Sequence, residues 1–222
     1  MKDIFFESIK IERNLPLNLK YHLKRIVDTF SKYGDSPTKN PTEKNNVFST
    51  QINPLKSEIE NIILNSPTIE LDQVYKLKVI YNINKTSINI INSEITPYKI
   101  KNISSLKLIH ADDITYGSKS MNRDHLDTLF NMRGECDDIL IVKDGSITDS
   151  SYANIIFSDG SCWFTPDTPL LKGTKRGFLI DNHLIKEAAI KAKDLNLFKS
   201  FKLINALRDP ADCAEIEISK IL

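Results

Sequence analysis

Only three cysteines occur in the 222 residues, Cys136, Cys162 and Cys213. They are odd in number, widely spaced and without a Cys-x-x-Cys pair. This excludes a disulfide scaffold and fits a reduced, cytoplasmic protein with ordinary buried thiols. An excess of one charge is missing too: 30 Lys and Arg stand against 29 Asp and Glu. Such a balance argues against a protein that grips nucleic acid or a membrane surface by charge. No apolar run is long enough to span a bilayer, and Ile4-Phe5-Phe6 is too short for a secretion signal. His110, His125 and His183 show no metal-ligand spacing, so no metal site is expected. There is no Gly-x-Ser-x-Gly elbow, no Gly-x-x-x-x-Gly-Lys-Ser/Thr loop and no internal repeat. The length suffices for one core or two small domains.

What is present is densest between residues 137 and 178. Ile139 to Val142 form an apolar run suited to a strand buried on both faces. Asp144-Gly145 and Asp159-Gly160 are turn dipeptides. Between them lies a strand with Ile155, Ile156 and Phe157. Cys162-Trp163-Phe164 starts another, which stops at Pro166. Leu170 to Arg176 reads as a glycine turn entering a helix. Amides at such a turn form a natural phosphate socket, although from that signal alone the reading of Gly173 as an ordinary turn residue prevails.

The remainder divides into strands and helices by period. Ile4 to Ile11 reads as a strand, with Asn14 and Pro16 turning the chain and Asn18 as a helix cap. Leu19, Leu23, Ile26, Val27 and Phe30 then share a helical face, and His22 and Arg25 lie beside it. A packing or hydrogen-bonding role is read for His22. The polar stretch 34–54, with Gly34, Pro37, Pro41 and Pro54, predicts a loop. Residues 55–65 predict a helix. Tyr75 to Tyr81 and Ser87 to Ile91 predict a hairpin. Residues 93–105 read as a linker, and Leu106 to His110 as a strand. Leu126, Leu129, Phe130 and Arg133 fall at helical spacing. Residues 176–193 read as helical by periodicity and alanine content. Lys202 to Ala206 and Glu215 to Ile218 read as short strands.

Taken together, three motifs resemble the class IV aminotransferase family. They are Thr148-Asp149-Ser150-Ser151-Tyr152-Ala153-Asn154-Ile155, Thr165-Pro166, and Leu171-Lys172-Gly173-Thr174-Lys175-Arg176. The opening Phe6-Glu7-Ser8 with Leu19-x-x-His22-x-x-Arg25, and Lys119-x-x-Asn122-Arg123, follow the same family's pattern. These are pyridoxal-phosphate (PLP) enzymes that include branched-chain and D-amino-acid transaminases and 4-amino-4-deoxychorismate lyase. The resemblance implies an α+β, two-lobed fold of fold type IV. A small α+β lobe (1–100) would precede a barrel-like PLP-binding lobe (106–222), with the cofactor in the cleft between them.

The resemblance also implies roles. Lys119 would hold PLP through an imine and shuttle protons, which requires an amine kept reactive by burial and cationic neighbours. Asp149 would face the pyridine nitrogen and keep it protonated. It is one methylene shorter than the family's commoner glutamate. Arg25 and the amides of Thr174 and Lys175 would bind the phosphate, with Leu171 packed on the ring. Asn205 and Ala206 would lie near the phosphate or a substrate carboxylate. Without the resemblance, Lys119 and Arg25 read as solvated surface charges and Asp149 as a turn residue.

Two activities follow from the resemblance. One is a lyase that releases pyruvate from 4-amino-4-deoxychorismate, suggested by Asn205-Ala206-Leu207 and the short chain. The other is a transaminase of a branched-chain or D-amino acid with a 2-oxo acid. Lys78 stands where the family often has arginine, and a point charge there leaves substrate choice open. A relative without catalysis is a third reading, against which the lysine, the acid, the arginine and the glycine turn are all present. The resemblance further implies a small amino-carboxylate substrate and a homodimer.

Overall fold

The computed structural model describes residues 3–34, 41–66, 70 and 72–222, with backbone only for 41–49. The chain separates into two compact units. One is Met1–Lys99 together with Ser118–Met121, and the other is Ile100–Gly117 with Asn122–Leu222.

In the first unit the strands β1 (Ile4–Glu12), β2 (Leu15–Pro16), β3 (Tyr75–Ile83) and β4 (Ile88–Pro97) form an antiparallel sheet in the order β2-β1-β3-β4. Arg13 and Asn14, both with positive φ, make the two-residue turn between β1 and β2, as such turns require. Helices α1 (Leu19–Tyr33) and α2 (Pro41–Leu64) supply the rest of the core. Phe5, Ile9 and Ile11 of β1 pack with Leu77 and Val79 of β3, with Leu23, Ile26 and Phe30 of α1, and with Leu55 and Ile59 of α2.

Three expectations change here. Asn18 does precede α1, but with φ 55° and no side-chain cap hydrogen bond. It serves as a left-handed corner residue, which asparagine tolerates. The predicted loop 34–54 is largely helix: α2 starts at Pro41 and runs through Pro54 (residues 35–40 lie outside the described set). An interior proline costs a helix about 3 kcal/mol. Ile52, Leu55, Ile59 and Ile63, all buried at helical spacing, offset it by packing. The return strand of the hairpin extends to Pro97, so the connection between the units is shorter than 93–105.

The second unit is built on one branched eight-stranded sheet. Its path runs β10 (Lys186–Ala188), β9 (Trp163–Pro166), β8 (Asn154–Ser158), β7 (Ser146–Ser150), β6 (Asp138–Lys143), β5 (Leu106–His110). β8 also pairs with β11 (Ser200–Ile204), which carries β12 (Ile216–Glu217). The pairs β5/β6 and β9/β10 are parallel; the others are antiparallel. Residues Asp138 to Val142 are all buried, as the apolar run predicts. Asp144 and Gly145, with φ 51° and 72°, form the tight β6–β7 turn. Helix α3 (Asp124–Asn131) follows the Lys119 segment.

The helix expected over 176–193 is not continuous. α4 (Thr174–Asp181) stops at Asn182 and His183, the latter with φ 57°, and the chain then extends into β10 against β9. Alanine content favoured helix, but strand pairing and the left-handed corner at His183 decide the segment. Among the described residues no helix is long and apolar enough to cross a membrane.

Candidate active site

Lys119 belongs to the first unit. Its segment pairs with β1: the Phe6 amide donates to the Lys119 carbonyl (3.0 Å), and the Met121 amide to the Ile4 carbonyl (2.8 Å). The Lys119 Nζ lies 4.4 Å from the centre of the Phe6 ring, and Lys78 Nζ lies 5.4 Å from the same centre. The half-buried amine thus rests on an aromatic face that a second ammonium also approaches.

On the opposite face of β1 from Phe6, Glu7 is fully buried. It accepts from His22 Nδ1 at 2.6 Å and from Arg25 Nε at 2.8 Å, and Arg25 Nη2 donates to its second oxygen. Burial pushes the Glu7 carboxyl up, but the Arg25 charge and the His22 hydrogen bond outweigh it and hold it at about 2. His22 is pushed down by burial, against the pull of Glu7. An ionised Glu7 can only accept, so Nδ1 of a neutral His22 carries the proton. The charges of Arg25 and Lys119 also disfavour a second charge on His22. Tyr81 of β3 is buried beside this group, its hydroxyl pushed up by burial and by Glu7.

In the second unit Asp149 sits at the end of β7, buried. Its Oδ1 accepts from Asn154 Nδ2 (2.7 Å) and its Oδ2 from the Leu171 amide (2.9 Å). Burial pushes its carboxyl up to about 6, against smaller downward pulls from the Leu171 amide, Asn154 and Arg176. Asn154 also donates to the Leu171 carbonyl at 2.9 Å. It therefore ties Asp149 to the turn that opens α4. A Cβ on Gly173, the residue before α4, would collide with Asn154 Oδ1, so only glycine fits there.

Thr174 and Lys175 are buried at the first turn of α4. The Lys175 ammonium is held by Asp209, so the amide of Lys175, rather than its side chain, is what the turn offers an anion. Asn205 Oδ1 accepts from the Leu207 amide (2.9 Å) and shapes the turn that leads to Asp209. Asp149, Leu171, Thr174, Lys175 and the 205–209 turn thus lie on one connected set of bonds. Lys119 and Arg25 lie in the other unit, where Arg25 is bonded to Glu7 and the Lys119 charge acts on His22.

Within each unit the residue types present fit PLP. Asp149 is a buried acid with raised pKa whose hydrogen-bond donors are neutral, which is what a pyridinium partner would restore. The glycine turn presents amides for a phosphate, and Lys119 offers the amine. Sequence reasoning missed Glu7, Asn154 and Asp209. Glu7 could have been found, because it occupies an apolar slot in the alternation Phe5, Glu7, Ile9, Ile11. Asn154 stood inside a quoted motif without a role. No local signal marks Asp209.

Residues 4–216 match the family model for amino-transferase class IV. The chain belongs to the class IV aminotransferase family. It is an enzyme of that PLP-dependent family. A relative from Haemophilus influenzae, an uncharacterised protein, is 33% identical over 202 residues, which is 91% of this chain and 96% of the relative. The crystal structure of a provisionally named 4-amino-4-deoxychorismate lyase from Haemophilus somnus is similar with TM-score 0.76 and 26% identity, covering 93% of this chain and 97% of that one. A provisionally named amino-acid aminotransferase from Mesorhizobium loti shares the fold with TM-score 0.70 at 16% identity, covering 97% and 99%. The class IV fold assignment agrees with the α+β architecture described above.

Proposed function

We propose that this class IV enzyme is a PLP-dependent lyase that splits 4-amino-4-deoxychorismate into 4-aminobenzoate and pyruvate. The observation that carries the choice is the near end-to-end similarity to the Haemophilus somnus structure, with Asn205-Ala206-Leu207 in support. Bound PLP would withdraw electrons from the carbon bearing the substrate amine. Lys119 Nζ would hold the cofactor and then take the proton from that carbon, and loss of the enolpyruvyl side chain leaves the aromatic product. Asp149 would hold a proton on the ring nitrogen through opposite charge. Arg25 and the amides of Thr174 and Lys175 would hold the phosphate. Leu171 would pack on the ring, and Asn205 and Ala206 would lie near the phosphate or substrate carboxylate. The enzyme would work as a cytoplasmic homodimer.

Transaminase action on a branched-chain or D-amino acid is the second reading, favoured by the similarity to the Mesorhizobium loti protein. The deciding assay is pyruvate release from aminodeoxychorismate with no 2-oxo acid added. Pyruvate without an acceptor supports the lyase; strict dependence on an amino donor and an oxo-acid acceptor replaces it with the transaminase. Borohydride reduction of PLP-treated protein, followed by peptide mapping, should label Lys119. Label on another lysine, or none, defeats the assignment of the amine.

A further inference from the structure

Glu7 takes part in none of the chemistry assigned above, yet it is among the most buried charged groups described, at 0% exposure. Burying a carboxylate is costly, and a core position on β1 would be cheaper to fill with isoleucine, as Ile9 and Ile11 fill theirs. The charge is retained with a specific geometry. Its two oxygens engage Nε and Nη2 of Arg25 side-on, and one of them also accepts from His22 Nδ1. The carboxylate is fixed by the sheet, because Ser8 and Phe6 on either side are locked in register with β3. The guanidinium is thereby held on an edge that cannot rotate, with Nη1 as the group Glu7 does not engage. An arginine held by no such partner loses side-chain entropy when it must be fixed for a ligand.

We propose that Glu7 is a positioning residue for phosphate binding: it locks the Arg25 guanidinium in the orientation in which its outer edge receives the cofactor phosphate. This rests on the reading of Arg25 as a phosphate ligand. A second role for the same pair makes the opposite prediction. If Glu7 served only as a counter-charge, its neutralisation would leave an uncompensated cation and strengthen the grip on a phosphate dianion.

The test compares PLP with pyridoxal, which has the same ring and aldehyde but no phosphate. Absorbance titrations of apoprotein give the preference for PLP over pyridoxal in the wild type, Glu7→Gln, Glu7→Asp and Arg25→Gln, with melting temperatures alongside. Glu7→Gln should reduce that preference by about tenfold or more, through weaker PLP binding, while pyridoxal binding stays within about twofold. Glu7→Asp keeps the charge but withdraws the carboxylate by one methylene, and should lose part of the preference. It carries the same readout should Glu7→Gln fail to fold. An unchanged or increased preference in both Glu7 variants, with only a lower melting temperature, overturns the proposal and leaves Glu7 structural. If Arg25→Gln also keeps the full preference, the phosphate reading of Arg25 itself falls, and the proposal falls with it.

Discussion

Glu7 in the first unit and Asp149 in the second are both buried carboxylates on strands, each with two hydrogen-bonding neighbours, yet they are poised in opposite directions. Glu7 is held at about 2 because a guanidinium lies against it. Burial pushes Asp149 up to about 6, and its direct partners, the neutral Leu171 amide and Asn154 side chain, pull it down only in part. Burial acts on both in the same sense, so the difference comes from the charge of the partner. A carboxylate already compensated by its own chain has a supporting task. A carboxylate built into a cradle of neutral donors can receive a cation, and under the proposed function that cation would be a protonated pyridine. Under that proposal the pair would separate a residue that shapes the site from one that meets the ligand.

The largest effect on this contrast should come from Arg25→Met. It strands a buried negative charge, which typically costs about 3–5 kcal/mol. Urea denaturation near pH 7 should show that loss, and a change under about 1 kcal/mol would show that Glu7 is neutral in the fold. Next comes pH. Glu7 has its carboxyl lowered from 4.5 to about 2, so its contribution is present above pH 4.5 and lost as pH falls toward 2. Asp149 has its carboxyl raised from 3.8 to about 6, so it favours the folded apoprotein below pH 3.8 and costs stability as pH rises through 6. Each shift corresponds to about 3 kcal/mol. Urea midpoints of apoprotein between pH 2 and 7 should rise and then fall less steeply in Glu7→Gln and Asp149→Asn respectively, each variant flattening its own limb. Saturating PLP should remove the upper limb if Asp149 receives a cation.

Gly173→Ala comes third. The added methyl meets Asn154 Oδ1, and overpacking of this kind costs about 1–3 kcal/mol. The midpoint should recover in the double variant with Asn154→Gly, and failure to recover would place the strain elsewhere. The smallest effect is a control. Lys24 and Asp28 form an exposed i,i+4 pair at 3.2 Å on α1, and Lys24→Ala should cost no more than about 0.5 kcal/mol. A loss comparable to that of Arg25→Met would mean that burial is not what distinguishes the Glu7 pair.

Strands were legible wherever period and turn chemistry agreed. Leu106 to His110 is read correctly to the residue, and the Asp144-Gly145 turn follows from its dipeptide. Helix boundaries were less so. Pro54 argues locally against α2, and only the packing of Ile52, Leu55 and Ile59 against partners distant in sequence overrides it. Alanines at 188, 189 and 192 suggest a helix that β9 recruits in part as strand. For the site, the motifs named Lys119, Asp149 and the glycine turn as candidates, and the structure ties Asp149 to the glycine turn through Asn154. The residues that hold them in place were hidden. Glu7, Asn154 and Asp209 act through partners 18, 5 and 34 positions away, and only Glu7 disturbs a periodic pattern.

The four residues Ser118–Met121 group with the first unit although the chain on both sides of them belongs to the second. Dissection at the obvious boundary near Lys99 would therefore yield an amino-terminal fragment that lacks Lys119 and the strip of backbone that pairs with β1. The complementary fragment would carry that strip with nothing to zip onto. Neither piece is a transplantable module, and any circular permutation or fusion of this enzyme has to leave the passage through 117–122 uncut.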